Sequence, residues 1–238
     1  MKKILLHLLG FIFPVTCSLC GKVLSSVSSQ RICQDCQNEL LKVEGDICIK
    51  CGDKPSREGT FCKTCQNDLN FFAFDKLRAV FKYNDKIRKL ILQFKYSNRV
   101  FLADFFASSI YQAFKDDELF FNCDIVLGVP ISFIRRAHRG YNQAELVAKK
   151  LAKLINKPHC PKILFRKKIT KAQFKLSKKE RQKNLLNSFW AKNSPEIKDK
   201  SVLLIDDIAT TATTASACAA ELKRAGAKYV FVLVIARK

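Results

Sequence analysis

From residue 71 onward, short apolar runs alternate with longer stretches whose apolar positions recur every three or four residues. Residues 77–83, 124–129, 202–205 and 229–235 read as strands, and the last three runs are apolar enough to be buried. Residues 85–97, 101–115, 142–155 and an alanine-rich 215–225 closed by Gly226 read as helices. Strands alternating with helices predict an α/β domain with a mainly parallel sheet. In such sheets ligands gather beyond the carboxyl ends of the strands, so the loops after 124–129 and 202–205 are expected to share one crevice. The first 14 residues carry two lysines and then an apolar run. That run is too short to cross a bilayer, His7 interrupts it, and no small-residue cleavage site follows. Ile4, Leu5, Leu8, Leu9 and Ile12 share a helical face, which predicts a packed amphipathic helix, with contact to a membrane surface as the alternative. The predicted boundary falls near residue 70, giving a module over 1–70 and a larger domain over 71–238.

Cysteine changes the picture of the first module. Eight of the 11 cysteines form four Cys-x-x-Cys pairs: Cys17/Cys20, Cys33/Cys36, Cys48/Cys51 and Cys62/Cys65. Each such turn points two thiolates at one tetrahedral ion, and two turns complete a closed structural zinc site. The segment also repeats internally, with Cys-Ser-Leu-Cys-Gly at 17–21 matching Cys-Ile-Lys-Cys-Gly at 48–52, and a Cys-Gln-Asn turn in each half. Duplication predicts sequential ligation, Cys17, Cys20, Cys33 and Cys36 on one Zn2+ and Cys48, Cys51, Cys62 and Cys65 on another. Cross-pairing of neighbouring repeats is the alternative. Gly21 and Gly52, each directly after a pair, are expected at positive φ. A disulfide framework would require an oxidising compartment, at odds with the cytosolic nucleotide-type domain that follows.

The chemistry of the larger domain is concentrated after its third apolar run. Val202-Leu-Leu-Ile-Asp-Asp-Ile-Ala-Thr-Thr-Ala-Thr-Thr214 delivers two carboxylates and then a hydroxyl-rich turn at a helix start. Backbone N–H groups at a helix N-terminus and threonine hydroxyls receive phosphate oxygens, and carboxylates accept from sugar hydroxyls. The segment resembles the phosphoribosyl-pyrophosphate loop of type I phosphoribosyltransferases, Asp-Asp-Val-x-Thr-Thr-Gly-x-Thr, with Ala212 where that pattern has glycine. The resemblance implies a type I phosphoribosyltransferase-like fold. It also implies that Asp206, Asp207, Ala209, Thr210, Thr211, Ala212, Thr213 and Thr214 bind phosphoribosyl pyrophosphate, its Mg2+ arriving with the ligand, together with Pro130, Ile131 and Ser132 from the other loop.

That other loop carries Arg135, Arg136 and Arg139, whose planar forks suit pyrophosphate or nucleic-acid phosphates. Arg139-Gly-Tyr-Asn-Gln-Ala-Glu-Leu146 is similar to the Arg-Gly-Phe-Asn-Gln-Ala-Glu-Leu signature of the ComF competence family. Thr170-x-x-Gln173-x-x-Leu176-Ser177-x-x-x-Arg181-x-x-Asn184-x-x-x-x-Phe189, Tyr83 and Lys95-Tyr96 fit further blocks of that family, in order, and the four cysteine pairs complete the match. The resemblance implies a role in natural transformation, with single-stranded DNA passing inward at the cytoplasmic side of the inner membrane. It implies DNA-uptake helicase or membrane channel proteins as partners, and peripheral contact with the membrane.

Charge fits a polyanion partner. The chain carries 43 Lys+Arg against 21 Asp+Glu, a net of +22, and almost all of the excess lies after residue 70. Residues 162–183 hold ten basic residues, Lys167, Lys168 and Arg181 among them, against Glu180 alone. Such a stretch predicts an exposed loop or hairpin. With Phe165 and Phe174 interleaved, it could close over a phosphoribosyl site or track a single strand, phosphates on the cations and bases on the rings. The rival to a DNA-handling protein is an enzyme transferring the phosphoribosyl group to a nucleobase-like acceptor. No residue marks the acceptor pocket, and no helix-turn-helix supports a DNA-reading regulator.

Overall fold

The apolar runs become the centre of a parallel sheet. The computed structural model describes residues 15–24, 30–57, 60–167 and 188–238. Four strands, β1 (Lys76–Lys82), β2 (Ile125–Gly128), β5 (Ser201–Ala209) and β6 (Tyr229–Arg237), lie in the order β1-β6-β5-β2, every pairing parallel. Successive side chains alternate faces, so Leu203 and Ile205 enter one apolar cluster while Val202 and Leu204 enter the other. Helices α3 (Asp85–Tyr96), α4 (Leu102–Phe114) and α7 (Gln143–Leu154) cover the first face. The alanine-rich α8 (Thr213–Arg224) covers the second, joined by a hairpin of β3 (Leu164–Arg166) and β4 (Phe189–Ala191). The described residues of the domain include two further short helices, α5 (Glu118–Phe121) and α6 (Phe133–Arg139). The strands and helices predicted after residue 71 are present, with ends shifted by a few residues.

Two elements depart from the pattern reading. The 202–205 strand runs on to Ala209, because β6 continues beside it and pairs Asp206 with Val234 and Ile208 with Ala236. Residues 133–139 form a helix rather than loop. Ser132 caps it, its hydroxyl accepting from the Arg135 N–H at 3.4 Å, and Gly140 ends it at φ 77°. Arg136 and Arg139 therefore sit in the last turn, where a cation suits the helix dipole. The expected N-terminal helix, Phe174, Lys168 and Arg181 lie outside the described residues.

Each half of the cysteine repeat folds alike: a knuckle turn, then a five-residue helix holding the fourth thiol, α1 (Gln34–Asn38) and α2 (Lys63–Asn67). Gly21 and Gly52 adopt φ 79° and 67°, as expected; a Cβ on Gly52 would also meet the Leu77 carbonyl oxygen at 2.9 Å. The module wraps the free edge of β1. Val43 N–H donates to Val80 O, Lys82 N–H to Leu41 O and Leu77 N–H to Lys50 O, so the edge is covered rather than open to another strand. The wrap sends the two cysteine clusters to opposite faces of the sheet. Cys17 and Cys36 join the α3–α4–α7 core, and Cys48, Cys51, Cys62 and Cys65 join the α8 core.

Candidate metal centres and carboxylate crevice

The sulfur atoms of Cys17, Cys20, Cys33 and Cys36 lie within 4.8 Å of one another, as do those of Cys48, Cys51, Cys62 and Cys65. Sequential ligation is therefore the arrangement the fold makes, and cross-pairing is not. A tetrahedral site with zinc–sulfur bonds of about 2.3 Å has sulfur–sulfur edges of about 3.8 Å. The Cys20–Cys33 separation is 3.7 Å and the Cys51–Cys62 separation 3.5 Å. Both clusters fit a structural zinc ion, with four thiolates and no open position for chemistry. In each cluster local backbone prepares one thiol, while burial and the neighbouring thiols push Cys36, Cys51 and Cys65 up. Burial pushes the Cys17 thiol up, but the N–H groups of Cys20, Cys33 and Leu19 outweigh it and bring it to about 6. The N–H groups of Cys51, Cys62 and Lys50 likewise outweigh burial at Cys48 and bring it to about 7. The clusters differ in exposure: all four cysteines of the second are buried, whereas Cys20 of the first is open to solvent.

The crevice forms where β2 stops and β5 continues. Gly128 pairs with Ile205, and Val129 N–H donates to Ile205 O. Beyond that point the β2 side of β5 opens, and Asp206 and Asp207 follow. Burial, then the neighbouring Asp207 charge, push the Asp206 carboxyl up to about 7, against the pull of the Asp207 N–H, Lys95 and Arg166. The Asp207 N–H donates to Asp206 Oδ1 at 2.8 Å. Asp207 itself is neutralised by Lys95 from α3, at 2.5 Å. Thr210 and Thr211 are exposed, and the Thr211 and Thr213 hydroxyls lie 2.8 Å apart at the start of α8. A small cleft lined by Asp206 and residues 208–215 opens between them.

Ala212 takes the conformation that glycine would take. It is buried at φ 54°, ψ 11°, immediately before α8. The left-handed region costs a residue with a Cβ about 1–2 kcal/mol, and the loop retains its shape at that cost. Ala212→Gly removes the strain and restores some unfolded-chain entropy. The expected net gain is about 0.5–1 kcal/mol in chemical denaturation; a loss of stability would contradict the strain assigned to this loop.

The residues of the second loop divide by role. In Arg139–Glu145 most side chains hold the crevice wall together. Asn142 Nδ2 donates to Val129 O at 3.0 Å, fixing the start of the Pro130–Ile131–Ser132 turn, and Tyr141 OH donates to Phe94 O. A Cβ on Gly128 would lie 2.6 Å from the Glu145 Cα and 2.7 Å from the Ala144 carbonyl carbon, so only glycine lets β2 and α7 approach this closely. Arg139 is committed to Gln143 Oε1 at 2.9 Å and to Tyr96 OH at 3.0 Å, its guanidinium over the Tyr96 ring. Arg135 and Arg136 are exposed, as are Phe133 (77 %) and Ile134 (69 %).

Sequence reasoning missed Lys95 and Arg166 as site residues. Lys95 closes the carboxylate pair from a helix more than 100 residues away. Arg166, on the hairpin, lies over Phe189, and burial and then the Arg135 charge hold its guanidinium below the usual range, with Asp206 opposing. Phe165 is stacked on Trp190 at 4.4 Å between centroids, so the open ring at the hairpin is Trp190. Lys167 is exposed, at the end of the hairpin where its N–H donates to Ser188 O.

Comparison with known proteins agrees with this construction. Residues 106–238 match the model of the phosphoribosyl transferase domain, and residues 8–66 match that of the double zinc ribbon domain. The chain belongs to the phosphoribosyl transferase domain family. It is 28% identical to Competence protein F of Haemophilus influenzae, over 86% of this chain and 96% of the relative. It is 28% identical to Competence protein ComFC of Bacillus subtilis, over 94% and 97%, and 25% identical to the DNA utilization protein YhgH of Escherichia coli K12, over 94% and 97%. A zinc ribbon followed by the transferase domain, matched over most of the chain, places the protein among the ComF competence proteins. Among solved structures, orotate phosphoribosyltransferase of Aeropyrum pernix aligns with 65% of this chain and 66% of its own, at 18% identity and a TM-score of 0.35. Among the described residues, no helix is long and apolar enough to cross a membrane.

Proposed function

We propose that the protein binds phosphoribosyl pyrophosphate with Mg2+ at the carboxylate crevice, holds single-stranded DNA on the basic rim beside it, and serves DNA uptake. The observation that carries the reading is the end of β5. Two carboxylates there meet a threonine turn whose residue 212 keeps a left-handed backbone, directly before the N-terminus of α8. Carboxylates accept the ribose hydroxyls. Backbone N–H groups and the hydroxyls of Thr210, Thr211, Thr213 and Thr214 receive the 5′-phosphate, as helix N-termini do. Pro130, Ile131 and Ser132 face the pyrophosphate. Magnesium would add positive charge between pyrophosphate and crevice, which favours ionised Asp206. The names of the competence and DNA utilization relatives support the DNA role, as does the net charge. The rim offers exposed Phe133, Tyr96 and Trp190 among Arg135, Arg136 and Lys167, the mix of rings and cations that holds single strands. The protein acts at the cytoplasmic face of the inner membrane, alongside uptake helicase or channel partners.

Titration calorimetry with phosphoribosyl pyrophosphate and magnesium tests the crevice. Wild type should bind, and Asp206→Ala/Asp207→Ala should bind about 100-fold more weakly or worse, since hydrogen bonds to charged groups contribute about 1.5–3 kcal/mol each. Wild type that binds no ligand ends the reading. For the rim, affinity for a single-stranded oligonucleotide should fall steeply with salt, as phosphate contacts require. The second reading is an enzyme that moves the phosphoribosyl group to a nitrogen nucleophile with loss of pyrophosphate, resting on positioning and charge stabilisation. The same crevice favours it, and pyrophosphate release with a panel of nucleobases decides.

A further inference from the structure

Helix α3 touches the first zinc knuckle at one place and the carboxylate crevice at another. Ser18 and Leu19 lie inside the knuckle, between the ligands Cys17 and Cys20. Lys89 Nζ donates to the Leu19 carbonyl at 2.8 Å and Gln93 Nε2 to the Ser18 carbonyl at 3.0 Å. These two side chains are four residues apart and so share one face of the helix. Arg99, just past the helix end, adds a contact from Nη1 to Ser18 Oγ at 3.2 Å. The final turn then supplies the crevice: Lys95 pairs with Asp207 at 2.5 Å, and Tyr96 OH accepts from Arg139 at 3.0 Å. Two residues along the chain separate the grip on the knuckle from the grip on the carboxylate.

The knuckle carbonyls that α3 holds are aimed by the turn around the ion. A Cys-x-x-Cys turn has its shape because two thiolates converge on one metal, and structural zinc contributes its binding energy to that local fold. Of the two centres, the first is the one solvent reaches. Cys20 is exposed and Cys33 half-buried, while Cys48, Cys51, Cys62 and Cys65 are 0–6 % exposed in the α8 core. A chelator therefore meets the first ion well before the second.

We propose that the zinc ion of the first knuckle positions Lys95 against Asp207 through α3, so that occupancy of this solvent-reachable centre sets the affinity of the crevice for its ligand. Lys89 and Gln93 are the positioning residues of this coupling. The proposal rests on the ligand reading given above and adds a regulation to it. With zinc in place, α3 is clamped at both ends of its last two turns and Lys95 is held beside Asp207. With zinc removed, Ser18 and Leu19 lose their fixed place, the last turns of α3 loosen, and Lys95 spends less time neutralising Asp207. Asp207 is then no longer held in one place to accept the ribose hydroxyls, and the ligand must order it on binding.

The test uses the full chain with both zinc ions, a zinc-selective chelator and magnesium in excess. Three quantities are followed together: zinc released, affinity for phosphoribosyl pyrophosphate, and amide hydrogen exchange over residues 85–96. The first equivalent of zinc should leave well before the second. Affinity should fall about tenfold at that step, with faster exchange in residues 93–96, and added zinc should restore both. Lys89→Met/Gln93→Leu, which leaves every cysteine in place, should show the weaker affinity and faster exchange with two zinc ions still bound. Release of both ions together overturns the proposal, as does release of the first with affinity and exchange unchanged. Wild-type affinity and exchange in the double variant overturn it too. If untreated protein binds no phosphoribosyl pyrophosphate, the ligand reading fails, and the exchange arm alone decides whether knuckle and helix are coupled.

Discussion

Cys65→Ser should remove one of the two zinc ions and with it much of the stability of the whole chain. The four cysteines of the second centre are not on an appendage. They pack with Phe72, Phe74, Leu77 and the alanines of α8 in one apolar cluster, and the Lys50 carbonyl between Cys48 and Cys51 accepts from Leu77 N–H on β1. A serine hydroxyl stays protonated at neutral pH and is a poor zinc ligand, so the site falls to three thiolates. Structural zinc contributes about 10–16 kcal/mol to folding where it has been measured in small domains, against a total stability of about 5–15 kcal/mol. Loss of even 5 kcal/mol lowers the melting temperature of a chain this size by about 10–20 °C. Metal analysis should find one zinc per chain, and thermal melting should shift by that amount or give no folded protein. Cys20→Ser, at the exposed centre on the other face, should cost less. A Cys65→Ser protein melting within about 2 °C of wild type would show that the second centre is peripheral to the fold.

The cysteine repeat made both ligand sets legible from spacing, because metal ligation is local: each pair is one turn, and duplication orders the turns. Strands 124–129, 202–205 and 229–235 were legible for a different reason. They are buried on both faces, and a continuous apolar run has few other uses. The same logic ended the 202–205 strand too early. Hydrophobicity reports burial, and Asp206 and Asp207 extend the strand where β6 still pairs with it but one flank is open to the crevice. For residues 162–183 loop and hairpin were both open, and strands β3 and β4 were not placed because they are three residues long and separated by a basic stretch, so only their non-local pairing defines them. Lys95 escaped for a related reason. Nothing around a lysine at the end of an amphipathic helix tells which carboxylate it will meet, since that depends on how α3 lies across the sheet. The Arg139–Glu145 signature was visible as a motif, but not its division of labour. Glycine at 128 and the Ala144–Glu145 backbone fit each other, and Asn142 holds the Val129 carbonyl just after β2. Most of that signature shapes the crevice wall, leaving Arg135 and Arg136 to face solvent.

Asp206→Asn should stabilise the folded chain while weakening its proposed ligand affinity about 100-fold. Burial, followed by the Asp207 charge, raises the Asp206 carboxyl from 3.8 to about 7. A raised carboxyl favours the protonated form in the fold, so the unfolded chain releases its proton first as pH rises. Stability is therefore undiminished below about pH 4, falls between 4 and 7, and stays low above 7. Three units correspond to a loss on the order of 4 kcal/mol. Asparagine keeps an Oδ1 to accept the Asp207 N–H, now at 2.8 Å, and carries no charge to bury. Denaturant titrations should find the variant more stable than wild type by several kcal/mol at pH 8 and equal to it at pH 3.5. Equal stability at pH 8 would mean that Asp206 is ionised without strain. Calorimetry on the same protein reads the other half. A neutral amide lacks the negative charge that the magnesium-bound sugar phosphate favours, so the variant should bind about 100-fold more weakly. For wild type, affinity should climb as pH rises toward 7, because binding must ionise Asp206. A residue whose replacement strengthens the fold and removes the ligand is there for the ligand, since selection for stability alone would have exchanged it.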